Sequence, residues 1–277
     1  MRPLADADNR SYIIDGGRPG AARLAVLARV RASASEDFLL RAGLKAGDRC
    51  LDLGCGSGEL TSRVAELAAP GEVLGVDFDA DVIAVAIERA RHAAATHTPR
   101  FVVADVTALP DGLGPFDLIS ARFLLSHLRD PLGALREMWS LLAPGGVVAI
   151  EDSDADAISS EPHCPALERA LELRRALTRA RGVGQRVGPR LVALLDQAGF
   201  EGIEETVDQP IIRDGEGKRL TELTFERTRT AFIEEGLVDE AEFDALLDEL
   251  RRFSTDPRTT IRAPRLHQVH GRRPGGT

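Results

Sequence analysis

The sequence predicts an α/β fold: a seven-stranded, mostly parallel sheet with helices on both faces and helical insertions that close over one edge as lids. Two observations carry this. Strand-like apolar runs alternate with helical patterns from residue 49 to about 152, as a parallel sheet with crossover helices requires. A glycine-rich turn then follows the first apolar run directly and opens a helix, the arrangement by which open α/β sheets receive a ligand at their carboxyl edge.

Residues 12–42 read as an N-terminal helical segment, with Leu24, Leu27 and Ala28 on one face, continued by Phe38, Leu39 and Leu40. Strands follow at Arg49–Leu53, Val73–Val76, Phe101–Val103, Phe116–Ser120 and Val147–Ile150. Asp79 caps a helix whose apolar face holds Val82, Ile83, Ala86, Ile87 and Ala90. Asp130–Pro131 starts another, with a capping carboxylate before a proline at the first helical position, and Pro144-Gly145-Gly146 ends it. Beyond residue 152 the rhythm changes. An arginine-rich helix spans 165–181, a shorter helix lies near 189–198, and Glu201–Val207 is a sixth strand. Helices at about 217–235 and 239–252 precede a last strand from Thr259 to about Gly271, and Asp239 with Glu242 forms a capping-box-like start. The chain divides into an N-terminal segment (1–42), a ligand-binding core (43–152) and a completion of the sheet (153–277) with lids at about 155–182 and 217–252.

A net charge of −9 argues against nucleic acid, whose affinity comes from Lys and Arg neutralising phosphates. The absence of an 18-residue apolar run and of a leader-like start points to a cytoplasmic protein. A homo-oligomer is left open. The three cysteines, Cys50, Cys55 and Cys164, read as unpaired thiols without a chemical role, and no metal is expected.

The glycine turn Leu51-Asp52-Leu53-Gly54-Cys55-Gly56-Ser57-Gly58 lets backbone approach a ligand closely. Dinucleotide enzymes require a further glycine where this chain has Glu59, and a carboxylate there repels pyrophosphate. S-adenosylmethionine (AdoMet), which has no phosphate, escapes that objection. Asp77 after the second strand suits ribose hydroxyls, Phe78 an adenine face and Asp105 the adenine amine.

These residues resemble the class I AdoMet-dependent methyltransferase family. Leu51–Gly58, Val76-Asp77, Ala104-Asp105 and Phe116–Ser120 look like its successive motifs, and Leu142–Val147 like the segment before its fifth strand. Ser126-His127-Leu128-Arg129-Asp130-Pro131 is similar to the ubiquinone/menaquinone and natural-product tailoring branch. The resemblance implies a Rossmann-like fold and methylation of a small organic molecule. It places Asp52 and Gly54, Cys55, Gly56 and Gly58 at the methionine moiety, Asp77 at the ribose, and Asp105 and Val106 at the adenine; Phe78 and Arg122 complete the cofactor set.

Methyl transfer from a sulfonium needs mainly positioning and exclusion of water. His127, beyond the fourth strand, and Tyr12, the single tyrosine, are the catalytic candidates, against local packing and a terminal tether respectively. His163 reads as a loop residue, with a place in the pocket lining as the other reading, and Glu151, Asp152, Asp154 and Asp156 as a solvated acidic loop, with ligands of a metal-dependent O-methyltransferase as the other. The arginines of 165–181 read as a charged face, with an anionic substrate as the other reading. A nicotinamide-dependent oxidoreductase and a non-catalytic AdoMet-binding regulatory module are the competing functions.

Overall fold

A computed structural model of the protein describes residues 14, 17–93, 97–110, 112–184 and 186–275. The chain opens with helix α1 (Gly17–Ala42). Strand β1 (Cys50–Leu53) feeds α2 (Glu59–Leu67), and β2 (Val73–Asp77) feeds α3 (Ala80–His92). Next come β3 (Arg100–Val103), β4 (Phe116–Arg122), α4 (Pro131–Leu141) and a long β5 (Leu142–Asp154). The second half contributes β6 (Ser159–Glu161), α5 (Pro165–Arg181), α6 (Leu191–Gln197), β7 (Glu201–Asp208) and β8 (Ile211–Ile212). Helices α7 (Leu220–Glu226), α8 (Arg229–Glu234) and α9 (Glu240–Thr255) precede β9 (Thr260–Arg262) and β10 (Arg265–Arg272).

Seven strands form one sheet in the order β3-β2-β1-β4-β5-β10-β7. The first five are parallel, and β10 runs antiparallel to both β5 and β7. Because β1 lies between β2 and β4, the chain order reverses there, and the crevice at the carboxyl ends of β1 and β4 is the natural ligand position.

The capping signals act as their chemistry demands. Asp79 accepts the Asp81 and Val82 amides, Asp130 the Gly133 amide, and Asp239 the Glu242 amide. One apolar core lies against the sheet around Leu51, Ile119, Leu135, Met138, Val148 and Leu195. A second joins α1 and α2 to the other face through Phe38, Leu39, Val64, Val73 and Leu118. The third lies away from the sheet, where α5, α7, α8 and α9 gather Leu173, Leu177, Phe225, Phe232 and Phe243, with the Phe225 and Phe243 rings stacked at 4.6 Å.

Four sequence expectations change. The last strand is two, because Pro264 has no amide for a continuous ladder and the Ala263 amide turns away to Pro210; β9 instead pairs with β6 and β8 in a small separate sheet. The helix expected over 217–235 breaks at Thr228, whose hydroxyl donates to the Phe225 carbonyl and competes with helix continuation. Leu40 is exposed at 46%, outside the buried face of α1. Glu151, Asp152 and Asp154 are buried in the strand β5 rather than lying on a solvated loop.

Gly58 shows why the turn is glycine-rich for packing as well as for ligand access. Its φ is +80°, and a Cβ there would meet the Phe101 ring at 2.7 Å and the Ala86 side chain at 2.9 Å. Gly145 has a similar φ of +82° with nothing within 4 Å. Gly145→Ala is therefore expected to cost about 1 kcal/mol from backbone strain alone. Gly58→Ala should lose about 2–4 kcal/mol, strain plus overpacking. Equal losses in denaturant unfolding would show that the Phe101 contact is not the constraint.

Candidate functional site

The glycine turn hangs between β1 and α2, and its backbone is fixed by a carboxylate from the neighbouring strand. The Gly56 amide donates to Asp77 Oδ2 at 2.9 Å, and the Asp79 amide to Asp77 Oδ1 at 3.1 Å. Burial pushes the Asp77 carboxyl above its usual value, and the Asp79 and Gly56 amides pull it back. The helix cap at this point is Asp79, not Asp77. Asp79 Oδ2 also accepts the Gly17 amide at 2.9 Å, which anchors the start of α1 beside the turn. Leu24 of α1 then lies directly over it, 3.1 Å from where a Cβ at Gly56 would stand.

One cavity of about 1190 Å³ opens at these strand ends. Gly54, Cys55 and Gly56 form part of its wall together with Asp77 and Phe78, and Asp105, Val106, Arg122 and His127 join from the ends of β3 and β4. Asp105 Oδ1 is engaged by the Thr107 amide and hydroxyl at 2.8 and 2.7 Å. Arg122 donates to the Ser35 hydroxyl at 3.3 Å. Asp52 and Gly58 are not on the cavity wall. Both Asp52 oxygens are occupied, by the Thr61 hydroxyl at 2.7 Å and the Ser120 hydroxyl at 2.9 Å, so this buried carboxylate braces β1 against α2 and β4. Tyr12 lies outside the described residues.

The cavity has two kinds of wall. Around the glycine turn it is acidic, with Glu59, Asp77, Asp79, Asp81 and Asp105. Glu59 accepts from Ser57 and pairs with Arg89. Such an end suits a cationic sulfonium without phosphates and disfavours pyrophosphate. Opposite, Leu167 and Leu171 of α5, Leu220 and Phe225 of α7, Phe232 of α8 and Ile261 of β9 provide an apolar wall.

Arg23 from α1, Arg129 after β4 and Arg174 from α5 also reach this cavity; sequence reasoning named none of them as a site residue, though it left the arginines of 165–181 open to an anionic substrate. Arg174 follows Leu167, Ala170 and Leu171 on the inward stripe of α5, so an arginine at an apolar-stripe position was the available signal. Among its neighbours on α5, Arg169, Arg175 and Arg181 make ion pairs with Glu242, Asp156 and Glu235 respectively, each about 3 Å long. His163 is exposed beside Glu168 and does not touch the cavity. All three cysteines are buried free thiols, and burial raises each of them, so none is a thiolate nucleophile at neutral pH. Among the described residues no group of three or more His, Cys, Asp or Glu is placed to hold a metal ion.

His127 sits in a short 3-10 turn (Leu125–His127) at the mouth of β4. Burial first, then the charges of Arg23 and Arg174, push its imidazole down to about 3. Nearby Asp152, which accepts the Ser126 and Ser153 amides, is pushed up to about 6, chiefly by burial. The folded imidazole stays neutral down to about 3, whereas the unfolded one takes a proton near 6.5. Stability from His127 is thus present above 6.5 and lost on acidification, while protonation of Asp152 acts in the opposite sense. The stability advantage of wild type over His127→Gln should therefore shrink by about 2 kcal/mol between pH 6.5 and 5, the Asp152 contribution cancelling in the difference. Urea unfolding of both proteins checks this, and a constant difference across that range would refute it.

Residues 44–181 match the family described as Methyltransferase domain. The 2-phytyl-1,4-naphtoquinone methyltransferase of Nostoc sp. is 37% identical over 111 residues, covering 40% of this chain and 48% of that protein. The chain thus spans about half the length of that curated relative. Among solved structures, the [4+2]-cyclase SpnF superposes with a TM-score of 0.55 at 22% identity, covering 88% of this chain and 82% of that one. Phosphoethanolamine N-methyltransferase 2 of Haemonchus contortus, in complex with S-adenosyl-L-methionine, gives 0.52 at 19% identity, covering 95% of this chain and 54% of that one. Both superpositions speak to the fold. The family follows from the match over 44–181 laid on that sheet order: this chain belongs to the class I AdoMet-dependent methyltransferases.

Proposed function

We propose that this chain transfers the methyl group of AdoMet to a small, largely apolar organic molecule held in the same cavity. A single observation carries the reading: one continuous space has an acidic end at the glycine turn and an apolar body beyond it. Its volume of about 1190 Å³ exceeds the roughly 300–1,000 Å³ of ordinary single-ligand pockets, which leaves room for a cofactor and an acceptor together. A quinone-like compound or a secondary metabolite suits the apolar walls, and the likeness to the Nostoc naphthoquinone enzyme supports that choice. A cytoplasmic location goes with this reading; among the described residues no helix is long and apolar enough to cross a membrane.

AdoMet supplies an already activated methyl group on a positive sulfur. The protein's own work is placement. Asp77 accepts from ribose hydroxyls while holding the Gly56 amide, Asp105 accepts from the adenine amine, and Phe78 and Val106 flank the ring. Gly54, Cys55 and Gly56 bring backbone to the methionine moiety, and Arg122 adds a cation at that end. Asp52 acts from behind, through Thr61 and Ser120. Leu24 and Leu27 of α1 shut water from the transfer path, which preserves alignment and prevents hydrolysis. Neutral His127, with its proton affinity far below neutrality, is a poor general base, since an effective base has a pKa near the working pH. Its role is to shape the wall at the acceptor.

Calorimetry should show S-adenosylhomocysteine binding and no NAD binding, the latter opposed by Glu59. Asp77→Asn should weaken S-adenosylhomocysteine by about tenfold or more, the scale of one charged hydrogen bond. Tight NAD binding without S-adenosylhomocysteine binding would return the chain to the oxidoreductases. With labelled AdoMet and naphthoquinol acceptors, His127→Ala should keep measurable turnover. A loss of the 10²–10⁴-fold typical of a missing base, at unchanged binding, would make His127 that base. Cofactor binding with no transfer to any acceptor would favour the non-catalytic module.

A further inference from the structure

Arg23 is nine-tenths buried, with 9% of its surface exposed, yet it lines the cavity. Its Nη1 donates a long 3.5 Å hydrogen bond to the Thr224 hydroxyl, and its buried Nε has no hydrogen-bond partner among the described residues. Arg174 faces the same cavity from α5 without a carboxylate within 4 Å among the described residues. The acids near it are already engaged: Asp156 with Arg175, Asp154 with Arg186 and the Asp156 amide, and Asp152 with the Ser126 and Ser153 amides. A guanidinium withdrawn from water without a partner costs stability, and proteins keep such groups where a ligand completes them.

We propose that Arg23 and Arg174 form an anion subsite, and that the acceptor molecule is an apolar compound bearing an anionic oxygen group that these two guanidiniums hold. The proposal rests on the methyltransferase reading and deepens it by naming the charge of the substrate. The cavity then has contrasting ends: carboxylates predominate where a sulfonium belongs, with Arg122 beside them, and Arg23 and Arg174 stand where the acceptor belongs. Planar guanidinium forks suit a two-oxygen group, carboxylate above all. The depressed basicity of His127 fits the same arrangement, since after burial both arginines act on it.

The test uses two probes of matched shape, 2-naphthoate and its uncharged methyl ester, titrated calorimetrically into the full chain with and without saturating S-adenosylhomocysteine. Wild type should bind the acid about tenfold or more tightly than the ester, the scale of charged hydrogen bonds in an enclosed site. Arg23→Met and Arg174→Met should each remove that preference while changing S-adenosylhomocysteine affinity by less than about twofold. Arg23→Met should also melt no lower than wild type, because it deletes an unsatisfied buried charge; a purely structural arginine would lower the melting temperature. Equal binding of acid and ester by wild type would overturn the subsite. So would parallel losses of acid and S-adenosylhomocysteine affinity, since the guanidiniums would then serve the cofactor's own carboxylate. Absence of S-adenosylhomocysteine binding in wild type would defeat the methyltransferase reading instead, and the acid-against-ester comparison on the free chain would still judge the subsite.

Discussion

A short relay of carboxylate-to-backbone hydrogen bonds at the end of β2 sets the geometry on which the rest of the molecule depends. Asp77 holds the Gly56 amide and thereby the glycine turn; it also holds the Asp79 amide, and Asp79 holds both the first turn of α3 and the Gly17 amide of α1. Three elements that share no continuous chain are thus registered by two side chains two residues apart. Parallel strands make this possible: their carboxyl ends finish at one level, so a carboxylate from one strand reaches the loop of the next. The same carboxylate that shapes the turn is left facing the cavity, so under the proposed function one group would serve both structure and ligand recognition.

The other end of α1 is tied by a buried polar cluster. Glu151 of β5 accepts from the Ser35 hydroxyl and from Gln268 of β10, and Arg31 approaches it at 3.7 Å while reaching Asp208 of β7 at 3.5 Å. Arg41 donates to Gln268, and Arg122 to Ser35. A buried charge is costly without partners, and here the partners come from α1 and four strands. The Ser35 and Gln268 bonds to Glu151 form in one docking of α1, although Nε and Nη2 of Arg31 make no hydrogen bond among the described residues, so the helix is laid across the sheet in a single register. The cavity's roof over the glycine turn is therefore as fixed as its floor.

The remaining walls have a different physical origin. Helices α5, α7, α8 and α9 pack on each other through their own aromatic and leucine cluster rather than on the sheet core. They surround the cavity with apolar side chains, and Arg174 and Arg23 interrupt that surface with charge. Low polarity around a charge magnifies whatever interaction it makes with a ligand. Under the proposed function, the cofactor end and the acceptor end would differ in their balance of charge within one cavity.

The amino-acid sequence by itself determined the sheet, its first five strands, the helix caps and the glycine turn. These depend on local signals: alternation of apolar runs, Asp79 and Asp130 before helices, and glycines where φ is positive. It also placed the residues at the strand ends, because a parallel sheet brings all of them to one edge. Tertiary structure alone decided which of them face the cavity. Asp52 and Gly58 belong to the same motif as Gly54 and Gly56, yet Asp52 is spent on Thr61 and Ser120, and Gly58 on close packing against Phe101. The acidic run Glu151–Asp156 read as a solvated loop because charge usually means exposure; its partners, Ser35, Arg31 and Gln268, are over a hundred residues away in sequence and invisible to any local pattern. Arg23 was hidden, and Arg174 stood undistinguished among the arginines of 165–181 with their two readings, for the related reason that an arginine on a helix reads as solvated until the packing shows which face is turned inward.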